Sequence, residues 1–174
     1  MTDREPVETK NLDIYDHPAL LWSRARDRLA TDTRGVDVTS FLGTVRPDGT
    51  PHAAGVGAVS VDGEVYFTAG PDSRKARNLA ENPACTISVR LSDIDLVLEG
   101  EAERVTDAAT LEQVAAYYRE TGWPAQVEGD GFTAPFSAPS AGPPPWHLYR
   151  LDFHTAFGVG TAEPHGATRW RFDS

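Results

Sequence analysis

The sequence predicts a mainly β fold, a β-barrel that carries helices on its outside. Three observations support this prediction. Short runs rich in β-branched and aromatic residues recur along most of the chain and are separated by turn-forming residues. Two Asp-Gly pairs, Asp48-Gly49 and Asp62-Gly63, lie between such runs and are typical of hairpin turns. About three segments have the apolar spacing of a helix. A barrel is predicted because full closure of the strands would remove exposed sheet edges.

The N-terminal residues 1–16 are polar and are predicted to form a flexible tail. Residues 17–30 are predicted to be a helix because apolar residues recur there at helical spacing, at Leu21, Ala25 and Leu29. The chain has 174 residues, of which 40% are hydrophobic and 24% charged. This size and composition suit one globular domain, which we place at residues 17–174.

Strand signals follow in quick succession after the first helix. The predicted strands are residues 38–46, 51–61, 64–69, 84–91, 94–106, 146–153, 155–160 and 168–172. Within residues 94–106, three glutamates alternate with apolar or small residues, which indicates a sheet with one face in water. A further helix is predicted from Asp107, and its apolar stripe is formed by Leu111, Val114, Ala115 and Tyr118.

Residues 122–145 are rich in glycine and proline and are predicted to lack regular structure. Three aromatic residues are set among these breakers: Trp123, Phe132 and Phe136. A connection of this length without secondary structure is usually functional or mobile. We therefore predict that residues 122–145 form a lid.

The composition excludes several classes of function. The formal net charge is -10, which disfavours nucleic acid as a partner because binding to it requires an extended basic surface. No apolar run approaches the roughly 20 residues that cross a bilayer, and the N-terminus is too polar for a signal peptide. A cytoplasmic protein without membrane contact is therefore expected. The lone cysteine, Cys85, lies in an apolar stretch and is predicted to be a core residue.

The sequence Ser-Arg-Lys-Ala-Arg-Asn at residues 73–78 is the strongest functional signal. It contains one of only two lysines and follows an apolar run and a turn, so Asp72 or Ser73 is predicted to cap a helix that ends near Asn82. Cations in the first turns of a helix oppose the helix dipole, at a cost of roughly 0.3–1 kcal/mol each. A phosphate at the same place would reverse that effect, because free amides and cations both attract its oxygens. We predict a phosphate-binding site here.

A solvated basic face on a short surface helix is the alternative interpretation of this cluster. Two observations favour the phosphate site. No acidic residue lies between Ser73 and Ala80, although the chain has 26 acidic residues. Ala76, Leu79 and Ala80 supply an apolar stripe that would hold the helix against a sheet and leave its N-terminus free.

The sequence from Val65 to Pro83 resembles the pyridoxamine-phosphate-oxidase-like superfamily, the flavin-binding split barrels. The resemblance rests on a Val-Tyr-Phe-Thr strand, the Ser-Arg-Lys at residues 73–75 and a Glu-Asn-Pro before an apolar strand. Residues 38–106 carry most of it. The segment Thr168–Phe172 resembles the ending of relatives in the flavin/deazaflavin oxidoreductase group. The resemblance implies a split β-barrel with flanking helices, forming a homodimer with cofactor sites at the subunit interface.

The resemblance also implies a cofactor, either FMN or the deazaflavin coenzyme F-420, with a slight preference for the deazaflavin from the C-terminal segment. It assigns Ser73, Arg74 and Lys75 to the cofactor phosphate. It places Phe67 and Thr68 along the ribityl chain or ring. The C-terminal Trp170 is expected to contribute to a site from one chain or the other.

One departure from the family pattern concerns the strand before these motifs. The phosphate oxidases proper carry Arg-x-Val-Leu-Leu-Lys in that strand, whereas residues 53–59 here contain no cation, so oxidation of vitamin B6 is disfavoured. Gly55 and Gly57 stand where relatives that use the deazaflavin often have bulkier residues. Small residues there permit close approach to the ring of the cofactor.

Other polar residues give weaker signals. Arg46 at the end of the first hairpin is a candidate for a second anionic group of the cofactor, although hairpin-end Arg and His residues, such as Arg46 and His52, are more often solvated. His147 and His154 are seven residues apart in a strand, on opposite faces, so no metal site is predicted. No nucleophile, histidine and acid constellation stands out, and no catalytic residue is assigned.

Two hypotheses for function remain open. The first is an oxidoreductase in which the reduced cofactor gives hydride to a small electrophilic substrate, and the cofactor carries the chemistry. The second is a non-catalytic protein on the same scaffold that binds or stores a flavin, haem or another tetrapyrrole, or a nucleotide-like ligand. A turnover assay with reduced cofactor separates the two.

Overall fold

The computed structural model describes residues 4–35, 37–139 and 141–173, and within them it has a mainly β architecture with three helices. The strands are β1 (Glu8–Asn11), β2 (Ser40–Val45), β3 (Pro51–Val56), β4 (Val59–Val61), β5 (Glu64–Ala69), β6 (Ala84–Arg90), β7 (Ile94–Val105), β8 (Gln126–Glu128), β9 (Gly131–Thr133), β10 (His147–Gly160) and β11 (Ala167–Arg171). The helices are α1 (Trp22–Asp32), α2 (Arg74–Glu81) and α3 (Ala108–Glu120).

The main sheet is antiparallel and divides along its longest strand. Its strand order is β1-β11-β10-β7-β6-β2-β3, and β5, which pairs with β4, joins β10 off this path. One edge of β10 pairs with β5 over His147–Leu151 and with β11 over Thr155–Val159, while β7 follows the other edge along both parts. A bulge between Phe153 and Thr155 lies at the change of partner.

The prediction of a fully closed barrel is wrong. Strand β3 pairs only with β2 and β4 only with β5, so the sheet stays open between β3 and β4 in the part of the chain described. The physical reason is that closure depends on pairing between distant edges, which local alternation of side chains does not encode. The mainly β class itself is confirmed.

The N-terminal segment differs from the predicted tail. Residues 8–11 form β1 and pair with β11 in the register Glu8↔Arg171 to Asn11↔Thr168. All four residues are polar and exposed, so the strand has no apolar alternation that sequence analysis can detect. The first helix also begins later than predicted, at Trp22, and Leu21 is 74% exposed because it precedes the helix.

Two apolar clusters hold the elements together. The larger lies between the sheet, α1 and α2, and the smaller lies between α3, the hairpin β8-β9 and Trp146. The predicted apolar stripe of α3 is confirmed, since Leu111, Val114, Ala115 and Tyr118 are all buried in the smaller cluster. None of the helices in the described ranges is long and apolar enough to span a bilayer.

The segment 122–145 has more structure than predicted. It contains the hairpin β8-β9. Two indole N–H groups form hydrogen bonds with the rest of the segment: Trp123 donates to the Phe136 carbonyl at 2.8 Å, and Trp146 donates to the Gly142 carbonyl at 3.2 Å. Aromatic packing supplies the order that the glycines and prolines do not, because Trp123 lies against both Tyr118 and Trp146. We call residues 134–139 and 141–145 the strap.

The C-terminal region has two strands where three were predicted. Residues 147–160 form a single strand, β10, and not two strands divided near His154. The bulge between Phe153 and Thr155 accounts for the difference, because it lets the chain continue in the sheet past an interruption of the alternation.

Candidate anion-binding site at the start of the second helix

The start of α2 has the form that its sequence predicts. Ser73 is the N-cap, with its hydroxyl accepting from the Ala76 N–H at 3.3 Å and donating to the Gly70 carbonyl at 2.7 Å. No acidic residue lies in the first turn. The backbone N–H groups of Arg74 and Lys75 have no acceptor in the described part of the chain. The first turn therefore presents two free donors in the positive end of the helix dipole.

Lys75 is the unusual residue of this turn. Its side chain is only 9% exposed, and it makes no hydrogen bond or ion pair with any residue that the structure describes. Burial lowers the pKa of Lys75. The Nζ atom is not among the buried side-chain atoms that lack a partner, so burial covers mainly the aliphatic stem of Lys75 and the ammonium group reaches the surface. An anionic ligand would provide the missing partner.

Strands β2 and β3 place further polar groups beside the helix. His52 of β3 stands opposite Thr44 of β2, and the Thr44 hydroxyl accepts a hydrogen bond of 3.0 Å from the Asn78 amide of α2. Two side-chain atoms there are buried without a partner among the described residues: His52 Nδ1 and Asn78 Oδ1. Lys75 lies one helical turn before Asn78, so the side chains of Lys75 and Asn78 share one face of α2.

The charges around this cluster are positive. Burial, and then the charges of Arg46, Arg74 and Lys75, lower the pKa of His52. Arg46 follows β2 directly and donates to the Pro51 carbonyl at 2.6 Å. The carboxylate of the intervening turn, Asp48, is occupied by the Thr50 N–H at 2.9 Å and the Thr50 hydroxyl at 2.6 Å. The cluster therefore favours an anion.

A comparison with known proteins shows the family to which the chain belongs. The family model for pyridoxamine 5'-phosphate oxidase matches residues 37–160, which include α2, β2 and β3. The chain belongs to the pyridoxamine 5'-phosphate oxidase family. This confirms the resemblance drawn from the sequence.

Solved structures with this fold have low sequence identity to the chain. PhzG from Burkholderia lata is 15% identical over 88% of this chain and 84% of its own, with a TM-score of 0.55. A NimC/NimA family protein from Clostridium acetobutylicum is 14% identical over 84% and 91%, with a TM-score of 0.53. A heme binding protein from Mycobacterium smegmatis is 17% identical over 82% and 56%, with a TM-score of 0.53. These likenesses establish the fold alone. No curated protein sequence matches the chain.

The other residues assigned from the pyridoxamine 5'-phosphate oxidase family lie at different distances from the cluster. Thr68 is half-buried near the end of β5, two residues before the turn that leads to α2. The Phe67 side chain is fully buried and stacks on Tyr149, with ring centroids 5.3 Å apart and planes at 8°. Phe67 therefore has only its backbone to offer a cofactor.

Two of the assigned residues, Gly55 and Trp170, lie away from the cluster. Gly55 is on the face of β3 opposite to His52, where it pairs with the exposed Phe41. A Cβ added at Gly57 would meet no atom within 4 Å, so the surroundings of Gly57 are open. Trp170 is 0% exposed and packs against Trp22 at 5.4 Å, so its ring has no surface to offer a cofactor in this chain. The predicted role of Trp170 does not fit its burial.

Three polar residues of the cluster were not predicted from the sequence. Thr44 and Asn78 were not singled out, and His52 was expected to be solvated, whereas their positions follow from strand register and from the packing of α2 on the sheet. The predicted apolar stripe is correct for Ala76 and Leu79 and wrong for Ala80, which is exposed. The polar pair Lys75 and Asn78 at i, i+3 was the available signal, because both project from the buried side of the helix.

Cys85 has the environment that the sequence predicts. It is a buried free thiol, and burial raises its pKa to about 12. A thiol with this pKa is protonated at neutral pH and is a poor nucleophile. Within the described ranges, no three His, Cys, Asp or Glu side chains are arranged to hold a metal ion.

Proposed function

We propose that the chain is a cofactor-dependent oxidoreductase that binds FMN or coenzyme F-420 with the cofactor phosphate at the start of α2. The observation that carries the proposal is Lys75, only 9% exposed and without a partner among the described residues, beside two free backbone N–H groups. Arg74 and Arg46 add positive charge at the same place. A phosphate matches this donor set, because it accepts from backbone amides and from cations at once.

The bound flavin or deazaflavin supplies hydride to a small electrophilic substrate, which is chemistry that side chains do not provide. The residues of the chain bind the cofactor and orient it. Arg74 and Lys75 would bind the phosphate end of the cofactor, and Ser73, whose hydroxyl and N–H both donate to the Gly70 carbonyl, would act by holding the first turn of α2 in place. The resemblance of Thr168–Phe172 to deazaflavin-using relatives gives F-420 a slight preference.

The direct test is calorimetric titration of the purified protein with FMN and with F-420. Removing both basic side chains, as Arg74→Ala with Lys75→Ala, should weaken binding of the cofactor about 100-fold or more, since charge-assisted hydrogen bonds contribute roughly 1.5–3 kcal/mol each. A variant with Lys10→Ala and Arg171→Ala is the matched control, because it removes the same two residue types from the exposed edge formed by β1 and β11. If the protein binds neither FMN nor F-420, the proposal is wrong.

The alternative is that the family scaffold binds a flavin, a tetrapyrrole such as haem, or a nucleotide-like ligand without catalysis. A turnover assay with reduced cofactor and a panel of electron acceptors separates this from the oxidoreductase. Reoxidation of the cofactor above the background rate supports the enzyme. Saturable binding without such reoxidation supports the non-catalytic binder.

We also propose that the protein is a homodimer. A row of side chains in direct register crosses four strands on the outer face of the sheet: Phe41, Ser88, Val97 and Phe157. Phe41 and the neighbouring Val159 are 54% and 51% exposed. Large exposed apolar side chains grouped on one sheet face are typical of a protein interface. The cytoplasmic location stays a prediction.

A further inference from the structure

His52 is the titratable residue of the anion-binding cluster that the proposed function has not used. Its Nδ1 atom is buried and has no hydrogen-bond partner in residues 4–35, 37–139 and 141–173. An unpaired buried polar atom costs about 1–3 kcal/mol, and in native proteins such atoms are few and usually explained by a role or a missing partner. His52 stands opposite Thr44, which is bonded to Asn78 of α2, so the imidazole lies on the side of β3 that faces the helix.

The charged groups that act on His52 from β2 and α2 are all cations. Arg46 follows β2, and Arg74 and Lys75 begin α2. Thr44 and Asn78, the other polar residues at this contact, are uncharged. The carboxylate of the β2-β3 turn, Asp48, is bonded to Thr50.

Strand β5 also touches β3, and it carries two titratable residues, Glu64 and Tyr66. Both lie on the face opposite to Val65 and Phe67, which point into the larger core together with α2. Tyr66 belongs instead to the smaller core beneath α3. Neither Glu64 nor Tyr66 shifts the pKa of His52 as strongly as the three cations do. No carboxylate therefore offsets the effect of the cations on this pKa.

We infer that His52 is a further ligand of the cofactor phosphate, and that its imidazole takes up a proton from water when the phosphate binds. The inference rests on the proposed function. Before binding, burial and the three cations favour the neutral form of the ring. A phosphate placed among the same cations outweighs their repulsion, and the imidazolium then donates a charge-assisted hydrogen bond to a phosphate oxygen from Nε2, the ring nitrogen that is not buried.

The sign of the resulting pH dependence follows from linkage. In the free protein, burial and then Arg46, Arg74 and Lys75 lower the pKa of His52, whereas a bound phosphate raises it. Between these two values, binding is accompanied by proton uptake, so affinity for the cofactor falls as pH rises. The phosphate of FMN has a second pKa of about 6 and loses charge below it, which opposes the effect of His52 at acid pH.

The experiment is calorimetric titration with whichever of FMN and F-420 binds more tightly, in buffers of different ionisation enthalpy, at pH values from about 6 to about 8. The wild-type protein should take up a fraction of a proton per cofactor bound. His52→Gln keeps a hydrogen-bonding side chain that does not titrate, so its proton uptake should equal that of the phosphate alone. The affinity of the wild type should fall about tenfold or more across this range relative to the variant.

Two controls assign the effect to the phosphate. The same ring system without its phosphate, riboflavin for FMN, should bind without proton uptake that depends on His52. The imidazole resonances of His52 in the wild-type protein should move toward the protonated form on cofactor binding, which tests the inference even if His52→Gln fails to fold. Equal proton uptake by the wild type and His52→Gln, or His52-dependent uptake with riboflavin, would overturn the inference.

These outcomes separate the inference from the proposed function. If neither cofactor binds the wild-type protein, the proposed function fails and the inference fails with it. If binding is weakened by loss of Arg74 and Lys75 but its proton uptake is independent of His52, the phosphate site stands and only the role of His52 is wrong.

Discussion

At the scale of single residues, the site combines a largely buried lysine with unpaired acceptors and donors. Lys75 is 9% exposed and has no partner among the described residues, and the Oδ1 atom of Asn78, which is 1% exposed, is buried without one. Such groups reduce the stability of the free protein, because their lost hydration is not replaced. Retaining them is reasonable only if a ligand restores the missing interactions. The position that should show this most clearly is Lys75.

Replacing Lys75 with Met keeps the length of the largely buried side chain and removes its charge. We expect Lys75→Met to raise the free energy of unfolding of the cofactor-free protein by about 1 kcal/mol, while affinity for the cofactor falls by roughly 10- to 100-fold. Urea unfolding and calorimetric titration measure the two effects. Arg77→Met is the control, because Arg77 is exposed on the same helix and its loss changes the net charge equally. Lower stability with unchanged affinity would mean that Lys75 is structural.

At the scale of elements, α2 is a short helix whose cations oppose its own dipole, so other contacts must stabilise it. Ser73 caps its first turn, Ala76 and Leu79 are buried in the larger core, and Asn78 bonds to Thr44. The strap adds a contact just before the helix. A Cβ at Gly70 would lie 2.6 Å from the Ala141 carbonyl oxygen, so the strap packs directly on the turn that leads into α2.

Gly70→Ala therefore should displace the strap. A separation of 2.6 Å from backbone is too short for a carbon atom, so the strap has to move away from the turn. We expect faster hydrogen exchange at the Ala141 amide, which donates to the Ala138 carbonyl at 2.9 Å, and a modest loss of stability, of about 1–3 kcal/mol. Gly57→Ala is the control, because nothing lies within 4 Å of its added carbon. Unchanged exchange in the strap of Gly70→Ala would show that the contact is not maintained in solution.

At the scale of the whole molecule, the sequence predicts what depends on neighbours within a few residues. The cap at Ser73 and the apolar stripe of α3 are examples, because both are contacts along one helix. Features that depend on pairing between distant segments were missed. Strand β1 exists through its register with β11, although all its residues are exposed, and His52 belongs to the cluster through its register with Thr44. The open edge at β3 has the same origin.

The outer face of the sheet leads to the last prediction. Phe41, Val97 and Phe157 stand in one row across the sheet, and Gly55 extends the row onto β3 without a side chain that would shield Phe41. If a second copy of the chain covers this face, then Phe41→Asp should convert a dimer into a monomer at micromolar concentration, because a buried, unpaired carboxylate is strongly unfavourable. Light scattering coupled to gel filtration measures the mass. Leu21→Asp is the control, since Leu21 is 74% exposed and lies outside this row. A wild-type protein that is already monomeric, or a dimer unaffected by Phe41→Asp, would show that the interface lies elsewhere or does not form.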